Sequence, residues 1–136
     1  LAKEGIDTQT TKHDESFTIK SVLVEVFPDH HGQFHSSIPP ISNIGYMIAE
    51  KFFYPGDAFT KPEKPVQILA LPVAGPWMKI SEAIDYALAL APKVCFPVHD
   101  GMLSPNFGTC HRVPSLVLPK FNIIFKTFKE NKEEEF

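Results

Sequence analysis

Hydrophobic residues occupy every second position in several short segments of the chain, which is the spacing of a half-buried β-strand. Between residues 22 and 27 the valines alternate with other residues, which predicts a strand with one strongly apolar face, ended by Pro28-Asp29. Residues 66–73 are nearly all apolar, as expected of a central strand covered on both faces. The predicted strands are 22–27, 44–48, 52–54, 66–73, 94–98 and 123–128.

One segment has a helical period instead. From Ile80 to Ala91 apolar residues recur three and four positions apart, which predicts an amphipathic helix. Because this helix stands between two apolar strands, residues 66–98 are predicted to form a β-α-β unit with parallel strands. A short helix over 116–120 is weakened by Pro114 and Pro119, and the acidic tail 129–136 is predicted to be disordered.

Composition narrows the class of protein. With 136 residues and 43% hydrophobic residues, the chain is one domain or a piece of one, and its start at Leu1 suggests a processed or truncated product. A net charge of -3 argues against a nucleic-acid or anionic-membrane surface, and no apolar run is long enough to span a membrane. Cys95 and Cys110 make no disulfide framework, so we expect reduced thiols and a cytoplasmic location.

Three side chains that can bind metals stand directly behind predicted strands. His31, Asp57 and His99 each follow a β-type run, and the carboxyl ends of strands are where open α/β sheets build their sites. Each also has a structural interpretation, since Asp57 can cap its own turn and His99 can be a hydrogen-bonded structural side chain. Asp100 can orient His99 or stand behind a metal ligand.

Several other candidates are weaker. His31 and His35 are four residues apart, but Gly32 stands where the zincin motif needs glutamate, so that motif is rejected. Because His30 adjoins His31, the sequence does not determine which of the two imidazoles would bind a metal ion. His13 and His111 are interpreted as surface residues, and Trp77 either walls a pocket or packs on the sheet. The sequence has no Gly-rich phosphate loop and no Gly-x-Ser-x-Gly motif.

Four motifs together resemble the carboxyl-terminal half of metallo-β-lactamase-fold hydrolases, in the branch of the ascorbate-6-phosphate lactonases. They are Asn-Ile-Gly-Tyr at 43–46, Phe-Tyr-Pro-Gly-Asp-Ala-Phe at 53–59, Leu-Pro-Val-Ala-Gly-Pro-Trp-Met-Lys at 71–79 and Phe-Pro-Val-His-Asp at 96–100. The resemblance runs from about Phe17 to Phe128. It implies an α/β fold: one lobe of an αβ/βα sandwich, with a mixed sheet and flanking helices, as a single partial domain over 1–136.

The resemblance also implies a metal site and roles for its residues. His31 matches a ligand of a first zinc ion, Asp57 the catalytic carboxylate that bridges both ions, and His99 a ligand of the second. His35 and Asp100 match positions near the substrate or behind the ligands. Zinc is the implied cofactor, although manganese and iron suit the same ligand types.

The chain departs from the family in lacking its His-x-His-x-Asp-His motif. Each ion would then have about two protein ligands, fewer than the three that a catalytic zinc usually has, so the isolated chain is expected to be a poor hydrolase. The expected activity of the complete site is hydrolysis of a small-molecule lactone, ester or phosphoester by metal-activated hydroxide. The alternatives are a non-catalytic half-domain that self-associates as a homodimer or pairs with a missing amino-terminal lobe, and a nuclease, which the acidic charge disfavours.

Overall fold

The computed structural model describes residue 5, residues 15–104 and residues 108–128, so the predictions for His13 and for the tail 129–136 fall outside it. Within these residues the chain forms seven strands, two α-helices and short 3-10 turns. Their bounds are β1 Ser16–Ile19, β2 Val22–His30, β3 Ser42–Ile48, β4 Phe52–Tyr54, β5 Ile68–Pro72, α1 Ile80–Leu90, β6 Val94–Val98, α2 Thr109–Val117 and β7 Ile124–Phe125.

All seven strands form one mixed sheet whose spatial order follows the chain. The pairs from β1 to β4 are antiparallel, and the pairs from β4 to β7 are parallel. Strand β2 therefore runs in the same direction as β4, β5 and β6, because two antiparallel steps restore the direction. The carboxyl ends of β2, β4 and β6 consequently meet at one edge of the sheet.

The predicted β-α-β unit is present, with α1 connecting the parallel strands β5 and β6. Helix α1 packs against β5 on one face of the sheet, and α2 packs against α1 and the 3-10 turn that follows it. The core lies on this face. Cys95 is fully buried there, as predicted, and desolvation raises the pKa of its thiol to about 12. The largest core side chains with no exposed surface include Met47, Phe53, Leu69, Leu71 and Leu118.

The opposite face of the sheet is also apolar and is only half-covered. Strand register places alternate residues on this side, which we call the outer face. Most of its side chains in β3, β4 and β6 are partly exposed, while Phe128 packs edge-on against Phe96. The outer face consists of Phe17, Ile19, Val22, Val24, Val26, Ile44, Tyr46, Ile48, Phe52, Tyr54, Ile68, Ala70, Val94, Phe96 and Val98.

Strand β2 does not end at Pro28-Asp29 as predicted but continues to His30, with Pro28 opposite Ile44. The Val26 N–H points away from β3, towards the Glu15 carbonyl. By the two-residue period of a strand, the Pro28 nitrogen points to the same side, beyond the last β1 pair. Proline therefore removes no hydrogen bond to β3, and the strand extends.

The carboxyl-terminal prediction was partly wrong. Helix α2 begins earlier than the predicted 116–120 segment and contains Pro114 in its interior, and a 3-10 turn follows over Leu118–Phe121. Pro114 and Leu118 are both buried against the core, so packing overrides the low helix propensity of proline. Strand β7 comprises only two residues, and β1 is a separate strand that the valine pattern did not reveal. None of the helices in the described residues has the length and apolar character that crossing a membrane requires.

Replacing Leu69 by alanine is expected to lower the free energy of unfolding by about 2–5 kcal/mol, because it leaves a cavity where β4, β5 and β6 meet. Urea denaturation measures this change. Leu116→Ala is the matched control, since Leu116 is 58% exposed on α2, and its effect should stay within about 0.5 kcal/mol. Equal effects of the two substitutions would contradict the assigned core.

Candidate functional site

The sheet edge brings together the three side chains that the sequence singled out. His31, Asp57 and His99 follow the carboxyl ends of β2, β4 and β6. His99 Nδ1 lies 3.0 Å from Asp57 Oδ1, and His31 Nε2 lies 3.9 Å from Asp57 Oδ2. Each imidazole thus faces a different oxygen of one carboxylate.

A buried amide fixes the turn that carries Asp57. Asn43 Nδ2 donates to the Pro55 carbonyl (2.8 Å), and the Asp57 N–H donates to Asn43 Oδ1 (2.9 Å). Gly56 between them has a φ of +71°, and a Cβ there would lie 2.3 Å from Asn43 Oδ1. The turn therefore needs glycine for both its conformation and its close approach to the amide. The Asp57 side chain is left 46% exposed at the rim.

The segment carrying His31 is tied to the same turn. The Gly32 N–H donates to the Asp57 carbonyl (2.7 Å), and the His31 N–H donates to the Ile41 carbonyl. His31 Nδ1 lies 2.7 Å from the Gly32 carbonyl, which can only accept a hydrogen bond. Nδ1 therefore donates to this carbonyl, and Nε2 is the ring nitrogen that faces Asp57. This is the arrangement in which metal-binding histidines are commonly held.

His99 is held on both sides of its ring. Its Nε2 lies 3.0 Å from the Tyr54 hydroxyl, opposite the nitrogen that faces Asp57. Burial, and to a lesser extent the negative charge of Asp57, raises the pKa of Tyr54. The backbone of His99 has a φ of +64°, a strained conformation for a residue with a side chain. Such strain is concentrated at functional sites.

Aromatic side chains wall an open cleft of about 390 Å³ around the three residues. The His31 ring contacts Phe34 at a centroid distance of 4.6 Å and Trp77 at 5.9 Å. Of the two interpretations of Trp77, the structure has this residue lining the cleft, and its ring also packs on Phe59 at a centroid distance of 5.0 Å. Met102, which is 70% exposed, also lines the cleft.

The remaining sequence candidates lie elsewhere. Asp100 does not orient His99: its carboxylate pairs with His111 Nε2 at 2.8 Å, so His111 is a partner and not a simple surface residue. The exposed His35 ring bonds to Ser37 and does not line the cleft. In the doublet, His31 and not His30 faces Asp57. Tyr54 and Asn43 were not predicted as site residues, although they belong to the motifs at 53–59 and 43–46.

Geometry alone does not complete a metal site here. Within residues 15–104 and 108–128, no three His, Cys, Asp or Glu side chains form a group that could hold one metal ion. Asp57 instead takes part in two pairs, one with each histidine. The roles of His31, Asp57 and His99 as ligands, and of His35 and Asp100 near the substrate, stay predictions.

Comparison with known proteins identifies the family. Residues 4–99 match the model of the beta-lactamase superfamily domain, which is more than half of the chain. The chain belongs to the beta-lactamase superfamily. Protein Rv0786c of Mycobacterium tuberculosis, one similar protein, is 42% identical over 81 residues, covering 56% of this chain and 38% of that protein. This superfamily chain thus spans well under two thirds of that relative.

A solved structure shows the same fold. Igni18, described as a novel metallo hydrolase from the hyperthermophilic archaeon Ignicoccus hospitalis, superposes with a TM-score of 0.68. The match covers 96% of this superfamily chain and 61% of Igni18, at 16% sequence identity. The predicted metallo-β-lactamase-type fold, with a mixed sheet and flanking helices, is confirmed. The ascorbate-6-phosphate lactonase branch stays a prediction.

Gly32→Ala is expected to displace Trp77, because a Cβ at position 32 would lie 2.0 Å from Trp77 Cε3. Trp77 is the only tryptophan in the sequence, so the fluorescence emission spectrum of the protein should shift. The free energy of unfolding should fall by about 1–3 kcal/mol because of the steric overlap. Gly101→Ala serves as the control, since a Cβ there meets nothing within 4 Å. An unchanged spectrum for Gly32→Ala would show that Trp77 does not pack on Gly32.

Proposed function

We propose that this chain supplies part of the catalytic centre of a metal-dependent hydrolase, in which Asp57, His31 and His99 would hold divalent cations. The observation that supports this is the pairing of each Asp57 oxygen with a different histidine, His99 at 3.0 Å and His31 at 3.9 Å. Imidazole and carboxylate suit zinc, manganese and iron alike. The donor set therefore fits one side of a two-cation centre.

The count of donors limits what the chain does by itself. Each cation would have one imidazole nitrogen and one carboxylate oxygen from the described residues, whereas catalytic zinc usually has three protein ligands and a water. We infer that the further ligands come from outside the described residues and that this chain alone is a poor hydrolase. The superfamily membership and the metallo hydrolase Igni18 support a hydrolytic role.

The chemistry follows from the residues at the rim. A bound cation would lower the pKa of a water molecule and polarise the bond under attack. Asp57 and the two histidines would hold the cations at the open end of the cleft, where Asp57 is 46% exposed and water has access. The aromatic walls formed by Phe34 and Trp77 would confine the substrate beside them.

The lining of the cleft favours a neutral substrate. None of the described residues that line it is a lysine or arginine, the side chains that usually recognise a phosphate. A second pocket of about 250 Å³ shares His31 and Phe34 with the cleft and is otherwise walled largely by Ile38, Ile41 and two prolines. We therefore favour a lactone or ester with an apolar arm over a phosphoester.

The outer face supports a second candidate function, a non-catalytic half-domain that self-associates. Phe52 stacks on Phe96 at 5.9 Å at the middle of this face, and most surrounding side chains are apolar and partly exposed. Contiguous exposed apolar surface of this kind marks interaction sites. A second copy packed sheet to sheet would bury it.

Asp57→Ala is expected to weaken Zn²⁺ binding, because Asp57 faces both proposed ions. Removing a side chain that hydrogen-bonds to a metal ligand typically lowers metal affinity about 10- to 100-fold, and removing Asp57 should lower it further. Isothermal titration calorimetry and elemental analysis measure the change. The fold should survive, since the turn is held through the Asp57 backbone. Asp85→Ala, on the exposed side of α1, is the control. Stoichiometric zinc unaffected by Asp57→Ala would refute the proposed site.

Phe52→Lys is expected to convert a dimer into a monomer in sedimentation velocity if the chain self-associates through the outer face, because the change buries a charge at its centre. Leu116→Lys, on the exposed side of α2, should leave the sedimentation coefficient unchanged. A well-folded chain that sediments strictly as a monomer would rule out the self-association candidate and leave the hydrolase proposal intact.

A further inference from the structure

The loop between β2 and β3, residues 31–41, encloses a pocket of its own. The loop contains no helix or strand, yet its two ends meet, because the His31 N–H donates to the Ile41 carbonyl (2.8 Å). Compact surface loops that are closed in this way frequently have a function. The pocket has a volume of about 250 Å³, and the described residues that line it all lie within 30–41. One continuous segment therefore builds the pocket.

Internal hydrogen bonds and two prolines hold the loop in shape. The Ile38 N–H donates to the His35 carbonyl (3.0 Å), and the Ser37 N–H donates to His35 Nδ1 (3.2 Å). The prolines at 39 and 40 restrict the backbone that follows. The walls of the pocket are therefore preorganised, which lowers the entropic cost of binding a ligand there.

The side chains around this pocket are largely apolar. Phe34, Ile38 and Ile41 are 41%, 42% and 48% exposed, so the loop leaves three large apolar side chains in contact with water. They line one pocket together with the two prolines, and so they form a contiguous surface of the kind that marks a binding site. None of the described residues that line it is an aspartate, glutamate, lysine or arginine. Such a lining fits a neutral, apolar group.

The size and position of the pocket indicate which apolar group it takes. A water molecule in the liquid occupies about 30 Å³ and a methylene group is of similar size, so the pocket has room for roughly eight carbon atoms. The pocket and the cleft share His31 and Phe34, whose rings contact each other at a centroid distance of 4.6 Å. An alkyl chain seated in the pocket would therefore have its polar end beside the cleft.

We propose that residues 31–41 form a binding site for a neutral, linear alkyl chain of up to about eight carbon atoms, whose length Ile38 and Ile41 limit. This inference deepens the proposed hydrolase function, because it identifies the part of a lactone or ester that lies outside the cleft. Binding of the alkyl chain itself depends on the burial of apolar surface and needs no metal ion. It is therefore measurable in the metal-free protein.

Straight-chain alcohols from 1-butanol to 1-decanol test the site in metal-free protein. Titrations followed through the methyl resonances of Ile38 and Ile41 in ¹H–¹³C spectra measure the affinity for each alcohol. The affinity should rise about fourfold with each added methylene group, because each one buries further apolar surface. It should level off at roughly eight carbon atoms, where the pocket is full. Equal affinities for 1-butanol and 1-octanol, or a rise that continues unchanged to 1-decanol, would overturn the proposal.

Substitutions at position 38 test which residues form the pocket. Ile38→Ala should weaken the binding of 1-octanol about tenfold, because the methyl groups that it removes no longer contact the alkyl chain. Ile38→Trp should fill part of the pocket, so that the affinity levels off at shorter alcohols. Ile19→Ala is the matched control, since Ile19 is 53% exposed and lies on β1, outside the loop. It should leave the affinity for 1-octanol unchanged.

Different results overturn different statements. Equal 1-octanol affinities of Ile38→Ala and the unaltered protein would refute the alkyl-chain site. A sedimentation coefficient that changes in Ile38→Ala while alcohol binding does not would assign the apolar loop to contact with a second copy, which also overturns the proposal. Protein that binds 1-octanol through the loop but fails to bind Zn²⁺ would refute the proposed hydrolase centre and support the alkyl-chain site.

Discussion

The side-chain amide of Asn43 is the constraint on which the candidate site depends. It is 8% exposed, and it both donates to the Pro55 carbonyl and accepts from the Asp57 N–H, so that it joins β3 to the turn after β4. A buried amide without partners would be costly, which makes this arrangement specific. Position 56 has to be glycine, because a Cβ there would overlap the side-chain oxygen of Asn43. The direction of Asp57 follows from these contacts.

The turn that carries Asp57 also positions the other two residues of the candidate site. The Asp57 carbonyl accepts from Gly32, which aligns the segment of His31, while the Asp57 carboxylate meets His99 from β6. Three strand ends that are far apart in sequence are thereby joined around one carboxylate. The sheet holds the three strand ends in place. His99 has a strained backbone at the point where its side chain contacts Asp57.

The site and the outer face meet at Tyr54. Its ring belongs to the apolar face opposite the helices, and its hydroxyl reaches His99 at the rim. Whatever covers the outer face would therefore also lie next to the candidate site.

The sequence by itself determined the elements with strong periodicity: the central strands, the helix from Ile80, the β-α-β unit and the three residues His31, Asp57 and His99 at strand ends. It did so because burial imposes a two-residue or 3.6-residue period that can be counted in one dimension. Only the tertiary structure decided the continuation of β2 through Pro28, the position of α2 around Pro114 and the partners Tyr54 and His111. Those features depend on which neighbour a proline nitrogen or a polar side chain faces, and that neighbour is set by chain packing and not by local sequence.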